Sequence, residues 1–271
     1  MNLRAPDTQI IRYAPAVLQE FFDAPQIKVL KSANVDLPRM AEFMVNTLKA
    51  GGKISKLTLS TPAWVHLFKG DEDFEYLLSG CAYGFTWEAK DPAAYFEVKN
   101  YVPPEHETRV TERIQSEFEA GNIVKSDRSS VCGLSAIGIV DKQRSGFTKF
   151  RVVHDYSRPR SGDSVNDNME VSKRKFARFE EACTYLRPNA YFCKVDLKDA
   201  YRSVPMAQEW WPRHAFQWEG QVYQDLRMPF GSKGAPAAFD RITQVIVRSF
   251  KAWGFNAFIG YLDDFWLMVA D

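Results

Sequence analysis

The stretch FIGYLDDFWLMV, residues 258–269, places two adjacent carboxylates, Asp263 and Asp264, between two runs of apolar and aromatic residues. Both runs have the composition of β-strands, so the pattern predicts a hairpin with the two aspartates at its tip. Two neighbouring carboxylates cannot both be buried and ionised unless a cation neutralises them. The stretch therefore indicates either a metal-binding tip or an ordinary turn whose aspartates face water.

A third carboxylate, Asp196, directly follows the run YFCKV at residues 191–195, which also has the composition of a strand. If that strand neighbours the hairpin in one sheet, Asp196 comes to lie beside Asp263 and Asp264. Carboxylates are the hard oxygen ligands that Mg²⁺ prefers. Two such ions, about 3.5–4 Å apart, can activate an attacking hydroxyl and stabilise a leaving pyrophosphate. We therefore predict a site for two Mg²⁺ ions, with Mn²⁺ as a substitute.

Charge is distributed unevenly along the 271 residues, although the formal net charge is only +1. Residues 141–178 contain ten Lys or Arg against five Asp or Glu, which suits either phosphate binding or a solvated surface. No apolar run reaches the ~18 residues of a membrane span. We expect an intracellular, soluble protein, in cytoplasm or nucleus, whose four cysteines are reduced and mostly buried.

Local patterns predict the order of elements after residue 100, whereas residues 1–100 carry no motif with an assignable chemistry. An apolar face of Val110, Ile114 and Phe118 predicts a helix capped at Gly121, and a strand follows. SAIGIVDK and TKFRVVHDY predict a hairpin, FARFEEACTYL a short helix, and HAFQWEGQVYQDLRM two strands joined by Glu219-Gly220.

A Gly-rich loop and a long helix are predicted for PFGSKGAPAAFDRITQVIVRSFKAWG, residues 229–254. Its apolar residues recur at helical spacing up to Gly254, which predicts a face packed in the core. These residues are Phe239, Ile242, Val245, Ile246, Phe250 and Trp253.

Five segments resemble, in order and spacing, the reverse transcriptases. KVDLKDAYRSVPM (194–206), MPFGSKGAPAAFDR (228–241) and YLDD (261–264) resemble their palm motifs. GIVDKQRSGFTKFRVVHDY (138–156) is similar to their fingers hairpin, and IQSEFEAGNIVKS (114–126) to the helix and strand before it. Two further segments, HDYSRPRSGDSVNDNM (154–169) and FQWEGQVYQDLRMPFG (216–231), look most like retrotransposons of the DIRS, or tyrosine-recombinase, class.

The resemblance implies an α+β fold: right-hand polymerase fingers and palm, with an antiparallel palm sheet packed on helices. It covers residues 101–271, and residues 1–100 form an N-terminal region of unassigned role. Because the chain stops seven residues after Asp264, we expect the domain to be truncated after the YLDD hairpin and to lack the thumb. Because the thumb would be missing, we also expect the isolated chain to polymerise weakly or undetectably.

The resemblance also implies a role for each motif residue. Asp196 and Asp263 would coordinate the two metal ions, Asp264 would complete the acidic cluster, and the Leu197 carbonyl would add a ligand. Tyr201 would act as a steric gate that favours dNTPs. Arg151 would contact the incoming triphosphate, with Lys142 or Arg144 as a second phosphate contact. The residues implied to border the nucleotide and template are Phe230, Gly231 and Lys233, and those at the primer end are Tyr261 and Leu262.

The function implied is RNA-directed DNA polymerisation in a retrotransposon-like element. Its partners would be an RNA template, a DNA or RNA primer and dNTPs, with no membrane, and the oligomeric state is left open. An RNA-templated RNA polymerase would share the three aspartates. A non-catalytic nucleic-acid-binding remnant, or a structural domain with an incidental Asp-Asp turn, would share the fold without the chemistry.

Overall fold

The computed structural model describes residues 29–144 and 147–269. Its α-helices are α1 Leu37–Lys49, α2 Lys56–Leu59, α3 Thr61–Phe68, α4 Phe74–Tyr83, α5 Glu107–Glu119, α6 Phe179–Cys183 and α7 Gly234–Ala252. Its strands are β1 Glu88–Ala89, β2 Phe96–Glu97, β3 Ile123–Ser126, β4 Gly133–Leu134, β5 Ala136–Arg144, β6 Phe147–Asp155, β7 Met169–Glu170, β8 Tyr191–Asp196, β9 Ala215–Trp218, β10 Gln221–Asp225, β11 Phe258–Tyr261 and β12 Asp264–Val269. Short 3₁₀ turns cover Pro104–His106, Arg128–Ser130, Tyr201–Ser203 and Gln208–Arg213.

Two three-stranded antiparallel sheets organise the later part of the chain. In one, β12 lies between β11 and β8; in the other, β10 lies between β3 and β9. The hairpin β5–β6 pairs antiparallel from Ala136 opposite Asp155 to Arg144 opposite Phe147. The remaining pairs are β1 with β7 and the parallel pair β2 with β4. The predicted mixed helix and strand fold is confirmed.

The helix α7 covers one face of the β11–β12–β8 sheet. Phe258 and Phe265 on that face are buried against Val247 of α7. Gly260 permits the close approach, because a Cβ atom there would lie 2.5 Å from Cγ2 of Thr243. Strand β8 is one of the two edge strands of this sheet, and all six of its residues are exposed.

The helices before residue 100 share a hydrophobic core with the elements that carry the sequence motifs. Met40 and Met44 of α1 and Leu77 of α4 are buried in one cluster with Met206 and Phe239. An acidic turn between α3 and α4 adds ion pairs to the contact. Its residues Asp71, Glu72 and Asp73 all bind Arg248 of α7, and Asp71 does so through two hydrogen bonds of 2.7 Å each.

Most predicted elements are confirmed. The helix α5 buries Val110 and Ile114, and Gly121 follows it with φ +70°, the left-handed conformation expected of a capping glycine. All three predicted hairpins form, and α6 occupies the predicted short helix.

Two expectations about burial are wrong. Trp253 lies just beyond α7 and is 60% exposed, because the helix ends before the last apolar residue can turn toward the core. Of the four cysteines only Cys81 is fully buried; Cys183 and Cys193 are exposed, since α6 and the edge strand β8 lie at the surface. All four are free thiols, as expected.

Candidate active site

The end of the β11–β12 hairpin brings the three aspartates of the sequence motifs onto neighbouring backbone positions. Tyr261 pairs with Asp264 at the last rung of the hairpin, so Leu262 and Asp263 form the turn. Asp264 in turn pairs with Asp196 of β8. The amide of Leu197 donates a hydrogen bond of 2.9 Å to the carbonyl of Asp263, which joins the end of β8 to the turn itself.

Electrostatics make this an unfavourable arrangement in the absence of cations. Like charges directly opposite each other on two strands repel, as Asp196 and Asp264 do here. Part of the charge is compensated by Lys194, whose Nζ lies 2.9 Å from Oδ1 of Asp264 in an ion pair without hydrogen-bond alignment. Asp196 is exposed and Asp263 half-buried. The repulsion and the all-oxygen donor set fit a hard divalent cation.

In the described part of the chain, no three His, Cys, Asp or Glu side chains converge into a ready-made metal cluster. The three aspartates share the end of one sheet, but Asp264 is directed to Lys194. The carboxylates available for a metal ion are thus those of Asp196 and Asp263.

A cluster of aromatic side chains, Tyr201, Phe230 and Phe239, lies next to the turn. The Tyr201 ring packs against Phe230, with ring centroids 5.0 Å apart, and against Phe239 of α7 at 5.4 Å. Burial, together with the nearby Asp263 carboxylate, raises the pKa of the Tyr201 hydroxyl to about 12. Tyr201 therefore stays a neutral phenol close to Asp263, while Phe230 is 49% exposed beside it.

The loop before α7 is fixed by one asparagine. Asn166 donates from Nδ2 to the Gly231 carbonyl at 3.0 Å and accepts the Lys233 amide at 2.7 Å. Gly231 has φ +95°, and a Cβ atom there would lie 2.2 Å from the carbonyl oxygen of His154 at the end of β6. This glycine thus lets the loop contact the β5–β6 hairpin directly. The exposed Lys233 directs Nζ to the carbonyl of Met169 at 3.4 Å.

The β5–β6 hairpin carries the three cationic residues that the sequence predicts to contact phosphate, Arg151, Lys142 and Arg144. Arg151 lies on β6 opposite Val140, and its side chain is exposed. Lys142 and Arg144 lie on β5, but their side chains are outside the described residues.

Among the cavities that border these elements, the one beside Asp264 is smaller than one at Lys233 and the first turn of α7. A cavity of about 570 Å³ lies between the segment before residue 100 and α7, and it includes Trp87, Lys90 and Lys233. Glu88 and Glu170 also line this cavity. Its two arginines, Arg174 and Arg241, form ion pairs with Asp73, and Arg174 also pairs with Asp240. A cavity of about 230 Å³ lies beside Asp264, lined by apolar residues that include Tyr261 and Trp266. The Tyr261 ring is half exposed and lies 6.0 Å from Phe176.

The sequence motifs did not point to three residues that shape this site: Lys194, Asn166 and Thr243. Lys194 had a usable signal, since it lies two residues before Asp196 on a strand and so shares its face. Asn166 and Thr243 donate hydrogen bonds to carbonyl groups that are far away in the sequence, and no local sequence pattern indicates such contacts.

Comparison with known proteins identifies the class. The family model for reverse transcriptase (RNA-dependent DNA polymerase) matches residues 134–271, a little over half of the chain. The chain belongs to this family, and the match includes every residue of the candidate site.

The curated relatives that the chain resembles are polyproteins, and each match covers a small part of them. The retrovirus-related Pol polyprotein from transposon 297 of Drosophila melanogaster is 30% identical over 145 residues, 53% of this chain and 13% of the relative. Polyprotein P3 of Commelina yellow mottle virus is 30% identical over 127 residues, 46% of this chain and 6% of the relative. The chain thus spans only a small share of the curated relatives it matches.

Two solved reverse transcriptase structures share the fold of this chain at low sequence identity. The foamy viral protease-reverse transcriptase dRH in complex with double-stranded DNA has a TM-score of 0.55 at 16% identity, over 81% of this chain and 39% of that chain. The foamy viral protease-reverse transcriptase in complex with an RNA/DNA hybrid has a TM-score of 0.53 at 16% identity, over 94% and 29%. In the part of the chain that the structure describes, no helix is both long and apolar enough to cross a lipid bilayer.

Proposed function

We propose that the chain carries the nucleotidyl-transfer site of a retrotransposon-like element and extends a primer with dNTPs on an RNA template. The observation that carries the proposal is the pairing of Asp264 with Asp196, with Asp263 in the adjoining turn. Transfer of a nucleotidyl group requires positioning and charge stabilisation rather than a protein nucleophile. In this interpretation the β11–β12–β8 sheet is part of the palm and β5–β6 is the fingers hairpin. The subclass proposal, a DIRS-type element, depends on the sequence of residues 154–169 and 216–231.

Asp196 and Asp263 would hold two Mg²⁺ ions, with the Leu197 carbonyl as a further ligand and Asp264 completing the negative charge. When bound, the ions would activate the primer hydroxyl and stabilise the departing pyrophosphate. The protein's own contribution is to hold two carboxylates at one end of a sheet. Metal binding would have to compete with the Lys194–Asp264 ion pair, whose lysine is half exposed and free to swing into solvent.

The nucleotide would lie over the aromatic group of Tyr201 and Phe230. A tyrosine ring fixed by Phe239 and Phe230 leaves little space for a 2′-hydroxyl, which supports a preference for dNTPs over NTPs. Arg151 would bind the triphosphate with its planar guanidinium, assisted by Lys142 or Arg144. Gly231 and Lys233 would border the nucleotide and the template, and Tyr261 with Leu262 would support the primer end.

A primer-extension assay tests the proposal. Purified chain is incubated with poly(rA)/oligo(dT), dTTP and Mg²⁺, and compared with the Asp263→Asn, Asp264→Asn double variant. From the isolated chain we expect weak, Mg²⁺-dependent incorporation that the double variant loses. Asp199→Asn is the matched control, since Asp199 is an exposed aspartate of the same motif whose φ of +54° an asparagine tolerates equally well. Equal incorporation by the double variant and the wild type would refute the assignment, and preference for NTPs would indicate an RNA polymerase.

A second candidate function is a non-catalytic remnant that binds nucleic acid. It is favoured by the Lys194–Asp264 ion pair and by the lack of a closed carboxylate cluster in the described residues. A remnant would bind an RNA/DNA duplex in a salt-sensitive manner but incorporate no nucleotide, and its binding would be the same in the double variant.

A further inference from the structure

The turn that carries Asp263 has a backbone that its sequence does not favour. Leu262 has φ +53°, in the left-handed region where residues other than glycine, asparagine and aspartate are uncommon. A strained residue of this kind persists only where its surroundings hold it in place. The conformation of Leu262 decides the direction in which the next residue, Asp263, leaves the turn.

The turn is held by hydrogen bonds to two consecutive carbonyls. The carbonyl of Asp263 accepts the Leu197 amide at 2.9 Å, and the carbonyl of Leu262 accepts the hydroxyl of Thr243 at 2.5 Å. The first donor is backbone and is present whatever the side chain. The second comes from a side chain of α7 and depends on the residue type at position 243.

Thr243 is placed for this contact by close packing. It is fully buried, and its methyl group faces Gly260, where a Cβ atom would come within 2.5 Å of it. The other acceptor within reach of its hydroxyl, the Phe239 carbonyl one helical turn earlier, is farther away at 3.1 Å. Because a hydroxyl has a single proton, the shorter contact to Leu262 takes the donor. The neighbouring Gln244 directs Nε2 to the Gly260 carbonyl at 3.4 Å.

We infer that Thr243 is a positioning residue: its hydroxyl holds the left-handed turn at Leu262 and thereby aims the Asp263 carboxylate. The role in metal binding rests on the proposed function, whereas the role in holding the turn does not. Thr243 touches no reacting group, and it acts only through Leu262.

The test compares Thr243→Val, which keeps the branched shape and removes the hydroxyl, with Thr243→Ser, which keeps the hydroxyl. Thr47→Val is the matched control, because buried Thr47 donates to the Phe43 carbonyl one turn earlier in α1, away from the hairpin. Amide hydrogen exchange of the peptide covering residues 258–269 is measured without metal. Mn²⁺ affinity is measured separately by electron paramagnetic resonance titration.

We expect Thr243→Val to speed exchange at the turn about five- to tenfold, the factor that one lost hydrogen bond corresponds to, and to weaken Mn²⁺ binding by a similar factor. Thr243→Ser should restore both values, and Thr47→Val should change neither. Unchanged exchange in Thr243→Val, or equal acceleration in Thr243→Ser, would overturn the inference. If the wild type binds no Mn²⁺, the proposed function fails, and the exchange rates alone still decide whether Thr243 holds the turn.

Discussion

Arg202 offers the sharpest test of what holds the described core together. Its guanidinium lies 2.7 Å from Oδ1 of Asp225 on β10 and 2.8 Å from Oε2 of Glu117 on α5. Tyr156, after β6, donates to the other oxygen of Asp225 at 3.1 Å. The side chain of Asp225 is fully buried, and those of Arg202 and Glu117 are 7% and 12% exposed. One guanidinium therefore forms ion pairs with two carboxylates from different elements.

Replacement of Arg202 by methionine would leave both carboxylates buried without that cation. Removing one partner of a buried ion pair costs about 3–5 kcal/mol. Glu117 retains the half-exposed Arg113, so we place the loss in unfolding free energy near 4 kcal/mol. At roughly 2–4 °C per kcal/mol for a chain of this size, the melting temperature should fall by about 8–16 °C.

Urea unfolding followed by tryptophan fluorescence measures this effect, and the midpoint should shift with little change in slope. The triple variant Arg202→Met, Asp225→Asn, Glu117→Gln is the matched comparison. It should regain much of the loss, because it buries no unpaired charge. A loss under about 1 kcal/mol in Arg202→Met, or a triple variant no more stable than the single one, would refute this account.

Three further outcomes are expected. Gly231→Ala should cost clearly more stability than Gly220→Ala; both glycines have positive φ, but only at Gly231 would the new methyl meet a carbonyl oxygen, and urea midpoints of the two variants check this. Hydrogen bonds from Arg248 lower the pKa of Asp71 below its ordinary 3.8. The stability that this shift contributes is therefore present above pH 3.8 and lost as the pH falls through the lower folded-state value, so the deficit of Asp71→Asn should be full at pH 7 and shrink below pH 3.8. Tyr201→Ala should raise incorporation of rNTPs relative to dNTPs in primer extension, while equal selectivity would reject a steric gate.

Much of the fold could be predicted from local patterns because its elements are encoded locally. The apolar and aromatic runs around Asp263 predict a hairpin, the helical spacing after Gly231 predicts a helix, and both are present. The capping role of Gly121 follows from the same kind of signal. What could not be predicted is tertiary: the shared core of α1, α4 and α7 depends on contacts between residues far apart in sequence.

For the candidate site, too, the sequence predicts which residues meet but not the contacts that hold them. The order of motifs indicated that Asp196 would meet the hairpin, and the register places it opposite Asp264. The ion pair between Lys194 and Asp264 follows from that register, which the sequence alone does not specify. The bond from Thr243 to Leu262 depends on a close helix–strand approach that only the three-dimensional packing reveals.

The bonds between Arg248 and the acidic turn join residues 177 positions apart. On a ribosome that adds 5–20 residues per second, Arg248 is made roughly 10–35 s after Asp71. For that time the helices α1–α4 lack both the cation that pairs with Asp71 and the α7 residues, such as Phe239, that complete their hydrophobic cluster. We therefore expect the helices α1–α4 to complete their folding only after synthesis of α7, the helix that also holds the aspartate turn.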